Sequence, residues 1–204
     1  HGAGNIPLDL HKWNVDFACW CSYKYLNSGP GAIAGAFIHE RHISNKHLLR
    51  LAGWWGTNKE NRFKMEKTFD PILTAEGWQI SNSPILNMPA HKASLDIIAE
   101  AGFENILEKA KKLSAYLIFI LDDINASSAN KSIEIITPRN EKEHGCQVSM
   151  LMHETGQQIF DALKANSVII DWREPNVIRL APVPLYNTFT DIFRFGEIIK
   201  NMLD

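Results

Sequence analysis

An apolar stripe with helical spacing runs from Ile106 to Ile124, and it constrains the fold more than any other feature of this sequence. Leucine, isoleucine and alanine recur there at intervals of three and four residues, with charged residues on the other faces. This period predicts one long amphipathic helix whose apolar side packs on a core. We expect helical structure from Pro84 onward, ending at a polar break over residues 125–131 (NASSANK).

Short apolar segments follow the polar break and alternate with two helical patterns. The predicted strands are Ile133–Ile136, Gln147–Met152, Val168–Asp171 and Val177–Leu180, and the predicted helices are Thr155–Ala165 and Thr188–Leu203. The order strand-strand-helix-strand-strand-helix is typical of a small α+β domain. We therefore expect three regions: residues 1–83, connecting helices over 84–125, and an α+β domain over 126–204.

The first region reads as part of an α/β domain. Phe17–Ser22 is a continuous apolar run, which is typical of a strand buried on both faces of a parallel sheet. Ala32–His39 predicts a second strand, Pro7–Trp13 a short helix that opens with proline, and residues 52–62 a loop. The predicted fold class is thus α/β for this region, followed by the α+β domain.

Composition excludes several classes of function. The formal net charge is −2, so there is no basic field for nucleic acid or anionic membranes. No apolar run approaches the roughly 20 residues of a membrane span. The chain has three cysteines, Cys19, Cys21 and Cys146, and most of their sequence neighbours are apolar. An odd number of such cysteines favours a reducing, cytoplasmic location. Histidines cluster at residues 39–47 without a convincing set of metal ligands, so we expect no metal site.

Lys24 follows the apolar run and precedes a turn rich in glycine and proline (Asn27–Gly31). It is either a solvated lysine at the end of a strand or an amine placed for covalent chemistry. An amine held at the edge of an apolar sheet is desolvated, which favours Schiff-base formation. Asp16, Ser22 and Lys24 also have the spacing seen around the pyridoxal-phosphate lysine of many aminotransferase-like enzymes.

Two further positions are candidates for binding. Trp54 lies with Trp55 between two glycines, where an indole N–H could donate to a phosphate or a carbonyl, although most tryptophans serve packing. Arg179 interrupts an apolar strand and needs a partner. That partner is either an internal carboxylate or the carboxylate of a substrate, which a guanidinium grips in a bidentate manner.

Five motifs together resemble one enzyme family over the whole chain. They are VDFACWCSYKYLNSGPG, GWWGTN, RFKM, GWQISNSPIL and IRLAPVPLYN. They are similar to kynureninase, a pyridoxal-phosphate enzyme of the aspartate-aminotransferase superfamily. The resemblance implies the end of a fold-type-I large domain, with a mainly parallel sheet, followed by a small C-terminal domain. It also implies hydrolysis of L-kynurenine, and possibly of 3-hydroxykynurenine, to L-alanine and anthranilate or its hydroxy form, in tryptophan catabolism and NAD biosynthesis.

The resemblance assigns a role to each matching residue. Lys24 matches the lysine that binds pyridoxal 5'-phosphate covalently and acts in catalysis, and Tyr23 matches a tyrosine at the cofactor phosphate. Trp54 matches a tryptophan of the phosphate and substrate region, and Asn82 an asparagine near the aryl end of the substrate. Arg179 matches the arginine that holds the amino-acid carboxylate. His1 matches the last residue of an Asp-x-x-His motif that contacts the cofactor.

The aspartate of that motif would precede His1, so we expect residues 1–204 alone to be inactive. The resemblance implies a homodimer with shared active sites. Two alternatives stay open: a cysteine desulfurase of the same superfamily, and a non-catalytic fragment that serves as a dimerisation module. Tyr23 stands where desulfurases usually carry histidine, which weighs against the first alternative.

Overall fold

The computed structural model describes residues 1–45, 47–128 and 133–203. The chain forms two compact units, His1–Glu100 and Ala101–Asp204. Among the described residues, no helix combines the length and the apolar character that crossing a bilayer requires. The three domain ranges expected from the sequence stay predictions, and part of the expected polar break, residues 129–132, lies outside the described residues.

Within the part of the first unit that the structure describes, two strands form an antiparallel pair. β1 (Phe17–Cys21) pairs with β2 (Ala34–Ile38). The prediction of a parallel strand buried on both faces is wrong for these residues, because the chain between the strands turns back directly and β1 alternates in burial. Gly35 lies opposite Trp20, whose indole fills the space that a Cβ would need.

Loops and short helical turns make up most of the rest of the first unit. Its helical turns are Glu40–His42, Ala75–Trp78 and Ile85–Asn87, and its α-helix is α1 (Met88–Ala101). The helix predicted over Pro7–Trp13 is wrong: the chain forms turns there and ends them at Asn14, whose φ is +58°. A left-handed residue at that point stops any helix.

Over its described residues, 101–128 and 133–203, the second unit is a four-stranded antiparallel sheet with three helices. Its elements are α2 (Phe103–Ser127), β3 (Ile133–Ile135), β4 (Val148–Met152), α3 (Gly156–Ala165), β5 (Asp171–Arg173), β6 (Val177–Leu180) and α4 (Phe189–Leu203). The strand order is β3-β4-β6-β5. The apolar stripe of α2 packs into a core with residues of the sheet, α3 and α4; Leu113, Leu121, Val148, Leu163 and Ile199 are fully buried.

The order of elements predicted for the second unit is confirmed, as is the long amphipathic helix. One strand is displaced: β5 begins at Asp171, three residues later than predicted. The preceding Val168–Ile170 is apolar, but Ile169 is 99% exposed. Hydrophobicity alone located this strand wrongly because two of the three residues that pair with β6, Asp171 and Arg173, are charged.

Candidate active site around Lys24

Lys24 lies in a bend three residues beyond the end of β1. Ser22 anchors the bend: it is fully buried, and its hydroxyl donates to the carbonyl of Ile33. Tyr23 and Lys24 then project into solvent. The sequence left open a solvated lysine and a desolvated amine placed for covalent chemistry; in the structure the bend buries Ser22 and leaves Lys24 exposed.

Two other candidate residues meet Lys24 at this bend. Its Nζ donates a hydrogen bond to Nε2 of His1 and lies 5.9 Å from the centre of the Tyr23 ring. The imidazole of His1 is held edge-to-face against Tyr25, with ring centres 6.0 Å apart. The structure therefore brings His1, Tyr23 and Lys24 together.

Gly4 makes the approach of His1 possible. Its φ is +81°, and a Cβ at this position would lie 2.8 Å from both the carbonyl carbon and the oxygen of Tyr25. The turn around it is closed by hydrogen bonds from the amides of Asn5 and Ile6 to the carbonyl of Gly2. Glycine is the residue that tolerates both the conformation and the contact.

The turn after Lys24 is bonded to α1 and to the helical turn before it. The side chain of Asn87 donates to the carbonyl of Gly31, and Ser94 donates to the carbonyl of Leu26. His91 Nδ1 lies 2.7 Å from the hydroxyl of Ser28. Sequence analysis missed these three side chains, although polar residues at positions 87, 91 and 94 recur with helical spacing.

Trp54 makes its contacts within its own loop. Its indole Nε1 donates to the carbonyl of Arg62 at 3.1 Å, and its ring meets Phe63 and Trp55 edge-to-face. Half of the side chain stays exposed. Of the two acceptors that the sequence suggested, a carbonyl is the one present here.

Asn82 is exposed in the segment between the helical turn Ala75–Trp78 and Pro84. The same unit contains a cleft of about 430 Å³, lined among others by Ile43, Arg50 and Leu73. Lys24 is not among the residues that line this cleft.

Arg179 belongs to the second unit and has an internal partner. It lies directly across from Asp171 in the β5–β6 pairing, on the face of β6 opposite to the buried Ile178. Its Nε donates to Asp171 Oδ2 at 2.5 Å, and its Nη2 pairs with the same oxygen. The Nε of Arg173 lies 3.1 Å from that oxygen as well. The guanidinium carries further N–H donors on Nη1 with which to hold a ligand.

A charged network lies at the start of β1. Asp16 accepts hydrogen bonds from Arg41 and, at 2.7 Å, from His42. Those bonds, from Arg41 first and His42 second, lower the pKa of the Asp16 carboxyl. The imidazole of His42 also stacks on Phe17, the first residue of β1. Among the described residues, no group of three or more histidine, cysteine or acidic side chains is placed to hold a metal ion.

Solved structures of two enzymes share this fold. A cystine C-S lyase aligns with 98% of this chain and 50% of its own, with a TM-score of 0.77 and 18% identity. A cysteine desulfurase from Thermococcus onnurineus aligns with the whole chain and 50% of its own, with a TM-score of 0.76 and 17% identity. The chain thus has the fold of the fold-type-I pyridoxal-phosphate enzymes over the residues that it spans.

Sequence comparisons indicate which of the fold-type-I pyridoxal-phosphate enzymes this chain is similar to. The family model described as the kynureninase C-terminal domain matches residues 106–199. A kynureninase of Flavobacterium psychrophilum is 56% identical over 98% of this chain and 47% of its own length. One of Nematostella vectensis is 45% identical over 98% of this chain and 44% of its own length.

The chain spans about half the length of the curated relatives that it matches. Over that half it is similar to kynureninases, at 45–56% identity to the relatives named above.

Proposed function

We propose that this chain carries the reactive lysine of a pyridoxal-phosphate enzyme that hydrolyses L-kynurenine, or 3-hydroxykynurenine, with release of L-alanine. The observation that carries the proposal is the 56% identity over 98% of the chain to a curated kynureninase. It is supported by the exposed Lys24, which has His1 and Tyr23 beside it. The pathway context that follows is tryptophan catabolism and NAD biosynthesis.

The residues at the bend fit the cofactor. Pyridoxal phosphate offers an aldehyde to an amine and a phosphate to hydrogen-bond donors. Lys24 supplies an exposed amine, and the exposed Tyr23 next to it supplies a phenolic hydroxyl. Trp54 is the third proposed group, although its indole N–H donates to the Arg62 carbonyl in this structure and would have to exchange that partner.

When bound, the cofactor supplies an electron sink that stabilises negative charge next to the substrate α-carbon. Lys24, once its amine is free again, removes the proton from that carbon and later returns a proton to the product. Arg179 holds the substrate carboxylate through N–H donors not used by Asp171, which keeps the scissile bond in place. Asn82 and Trp54 would select the aryl ketone over smaller side chains. Overall, kynurenine and one water give anthranilate and alanine, with no net oxidation.

The proposed assembly is a cytoplasmic homodimer with shared sites. Its support is the set of large apolar side chains exposed on one loop of the first unit: Leu49, Leu51, Trp54, Phe63 and Met65. Clustered aromatic and methionine side chains are typical of protein interfaces. The oligomeric state is measured by light scattering of the intact protein.

Borohydride trapping tests the cofactor assignment. The intact protein is mixed with pyridoxal phosphate, reduced and digested, and we expect a pyridoxyl group on the peptide that contains Lys24. Lys24→Ala should remove this adduct, whereas Lys12→Ala, which changes another exposed lysine of the same unit, should leave it. Label spread over surface lysines would contradict the proposal.

A substrate screen distinguishes the proposed kynureninase activity from the alternative, a cysteine desulfurase. Anthranilate released from kynurenine supports the proposal, and sulfide released from cysteine supports a desulfurase instead. Lys24→Ala should abolish either activity. A protein that takes up no cofactor and shows neither activity would be the non-catalytic dimerisation module.

A further inference from the structure

We propose that Asn87, His91 and Ser94, one polar face that continues from the helical turn Ile85–Asn87 into α1, position Lys24 for reaction by fixing the turn that follows it. The inference rests on the proposed function of Lys24 as the lysine that binds the cofactor. It assigns a task to three residues to which neither the motifs nor the family resemblance gave one.

The three side chains lie on one face because they are spaced by four and three residues. Each bonds a different residue of the turn: Ser94 the carbonyl of Leu26, His91 the hydroxyl of Ser28, and Asn87 the carbonyl of Gly31. The bonds therefore span six consecutive residues of the turn, and all of them come from one short stretch of the chain.

Burial makes these bonds important. Ser28 is 6% exposed and Ser94 is 7% exposed, so water does not readily replace the lost partners. Asn27 has a φ of +54°, so the backbone at this residue is held in a conformation that a non-glycine residue of a free chain seldom adopts. The side-chain hydrogen bonds to the helical segment therefore select this one conformation of the turn.

The turn is coupled to Lys24 through its backbone. The amide of Asn27 donates to the carbonyl of Lys24 at 2.9 Å, and the amide of Ser28 donates to the carbonyl of Ser22 at 3.0 Å. The two carbonyls lie on either side of the bend that presents Lys24. If the turn lost its hydrogen bonds to α1, both of these backbone hydrogen bonds would weaken. The Lys24 amine would then no longer be held next to His1.

The test compares His91→Leu with His91→Asn in the intact protein. Asparagine can present either an oxygen or an NH₂ group where Nδ1 lies, so it replaces the bond to Ser28 whichever partner donates; leucine cannot. Lys92→Gln is the matched control, because Lys92 bonds to the exposed Asp96 on the same helix.

Two readouts are taken: amide hydrogen exchange at Asn27 and Ser28, and the rate at which pyridoxal phosphate and borohydride label Lys24. We expect His91→Leu to speed exchange at both amides and to slow labelling, each by roughly three- to tenfold, the worth of one hydrogen bond. His91→Asn and Lys92→Gln should match the unchanged protein. Exchange and labelling in His91→Leu equal to those of the unchanged protein would overturn the inference.

If His91→Leu raises exchange throughout the first unit, including β1 and β2, the deciding variant is Ser94→Ala, which removes one hydroxyl. That variant should raise exchange at the turn alone, and no change there would overturn the inference. Absence of labelling at Lys24 in the unchanged protein would overturn the proposed function. The exchange result would still decide whether α1 holds the turn.

Discussion

Nζ of Lys24 donates a hydrogen bond to Nε2 of His1, a residue 23 positions away in the sequence. The bond joins two short segments with no regular secondary structure, the opening turn and the bend after β1. Tyr25 holds the imidazole in the orientation that makes the bond possible. The geometry of the lysine is therefore set by a local cluster of side chains.

His1→Phe should release the Lys24 ammonium. Phenylalanine keeps a ring for the contact with Tyr25 but offers no acceptor, so the ammonium protons lose their fixed partner and exchange faster with water. We expect the NMR signal of the Lys24 side-chain NH₃⁺ group to broaden in protein freed of cofactor. His11→Phe, which removes an imidazole bonded to Glu40, is the control and should leave it unchanged. A signal that stays sharp in His1→Phe would contradict the contact.

Gly4→Ala should destabilise the first unit more than Gly29→Ala does. Both glycines have φ near +80°, so each substitution carries a similar conformational cost, about 1 kcal/mol. A Cβ at Gly29 meets nothing within 4 Å, whereas one at Gly4 collides with the Tyr25 carbonyl. Urea unfolding of the two variants measures the difference. Equal midpoints would show that the opening turn does not pack on Tyr25.

The two faces of β6 should respond differently to substitution. Ile178 is fully buried, and Ile178→Ala should cost about 2–5 kcal/mol of unfolding free energy. Asp171→Ala breaks the pair with Arg179, but the Arg179 side chain is 24% exposed and that of Asp171 45%, so we expect about 1 kcal/mol or less. Thermal unfolding checks both. A loss for Asp171→Ala as large as that for Ile178→Ala would mean that the pair is a core element.

Asp16→Asn should remove part of the acid sensitivity of the first unit. Hydrogen bonds from Arg41 and His42 lower the pKa of Asp16 in the folded state below its ordinary 3.8. Its contribution to stability is thus present above pH 3.8 and is lost as the pH falls through the lower, folded value. Urea unfolding at neutral pH and below pH 3.8 measures it. Asp9→Asn is the control, and equal acid sensitivity in both variants would contradict the network.

The sequence predicted the second unit well for a physical reason. The stripe from Ile106 to Ile124 is long and periodic, and Leu113, Leu117 and Leu121 occupy the core as the period requires. A helix of 25 residues repeats its apolar period over many turns, so one ambiguous residue does not change the predicted position. A strand of three residues has too few positions for this. That is why α2 was located correctly and β5 was displaced.

The surroundings of Lys24 were harder to predict. The run Phe17–Ser22 suggested burial on both faces because hydrophobicity alone does not reveal which strand pairs with which. The partners of the bend come from position 1 and from positions 87–94, and no local rule links those positions to residue 24. The contact between His1 and Lys24 and the bonds from α1 depend on tertiary structure.

The edges of the four-stranded sheet bear on how the protein behaves at high concentration. The outer strands β3 and β5 have only three residues each, and they carry Glu134 on one side and Asp171 with Arg173 on the other. Short, charged edges offer an incoming strand few free hydrogen-bonding groups and a charge to bury. The charges of Asp171 and Arg173 on β5 therefore also oppose the addition of a foreign strand at this edge, so replacing both by apolar residues would make aggregation a greater risk than unfolding.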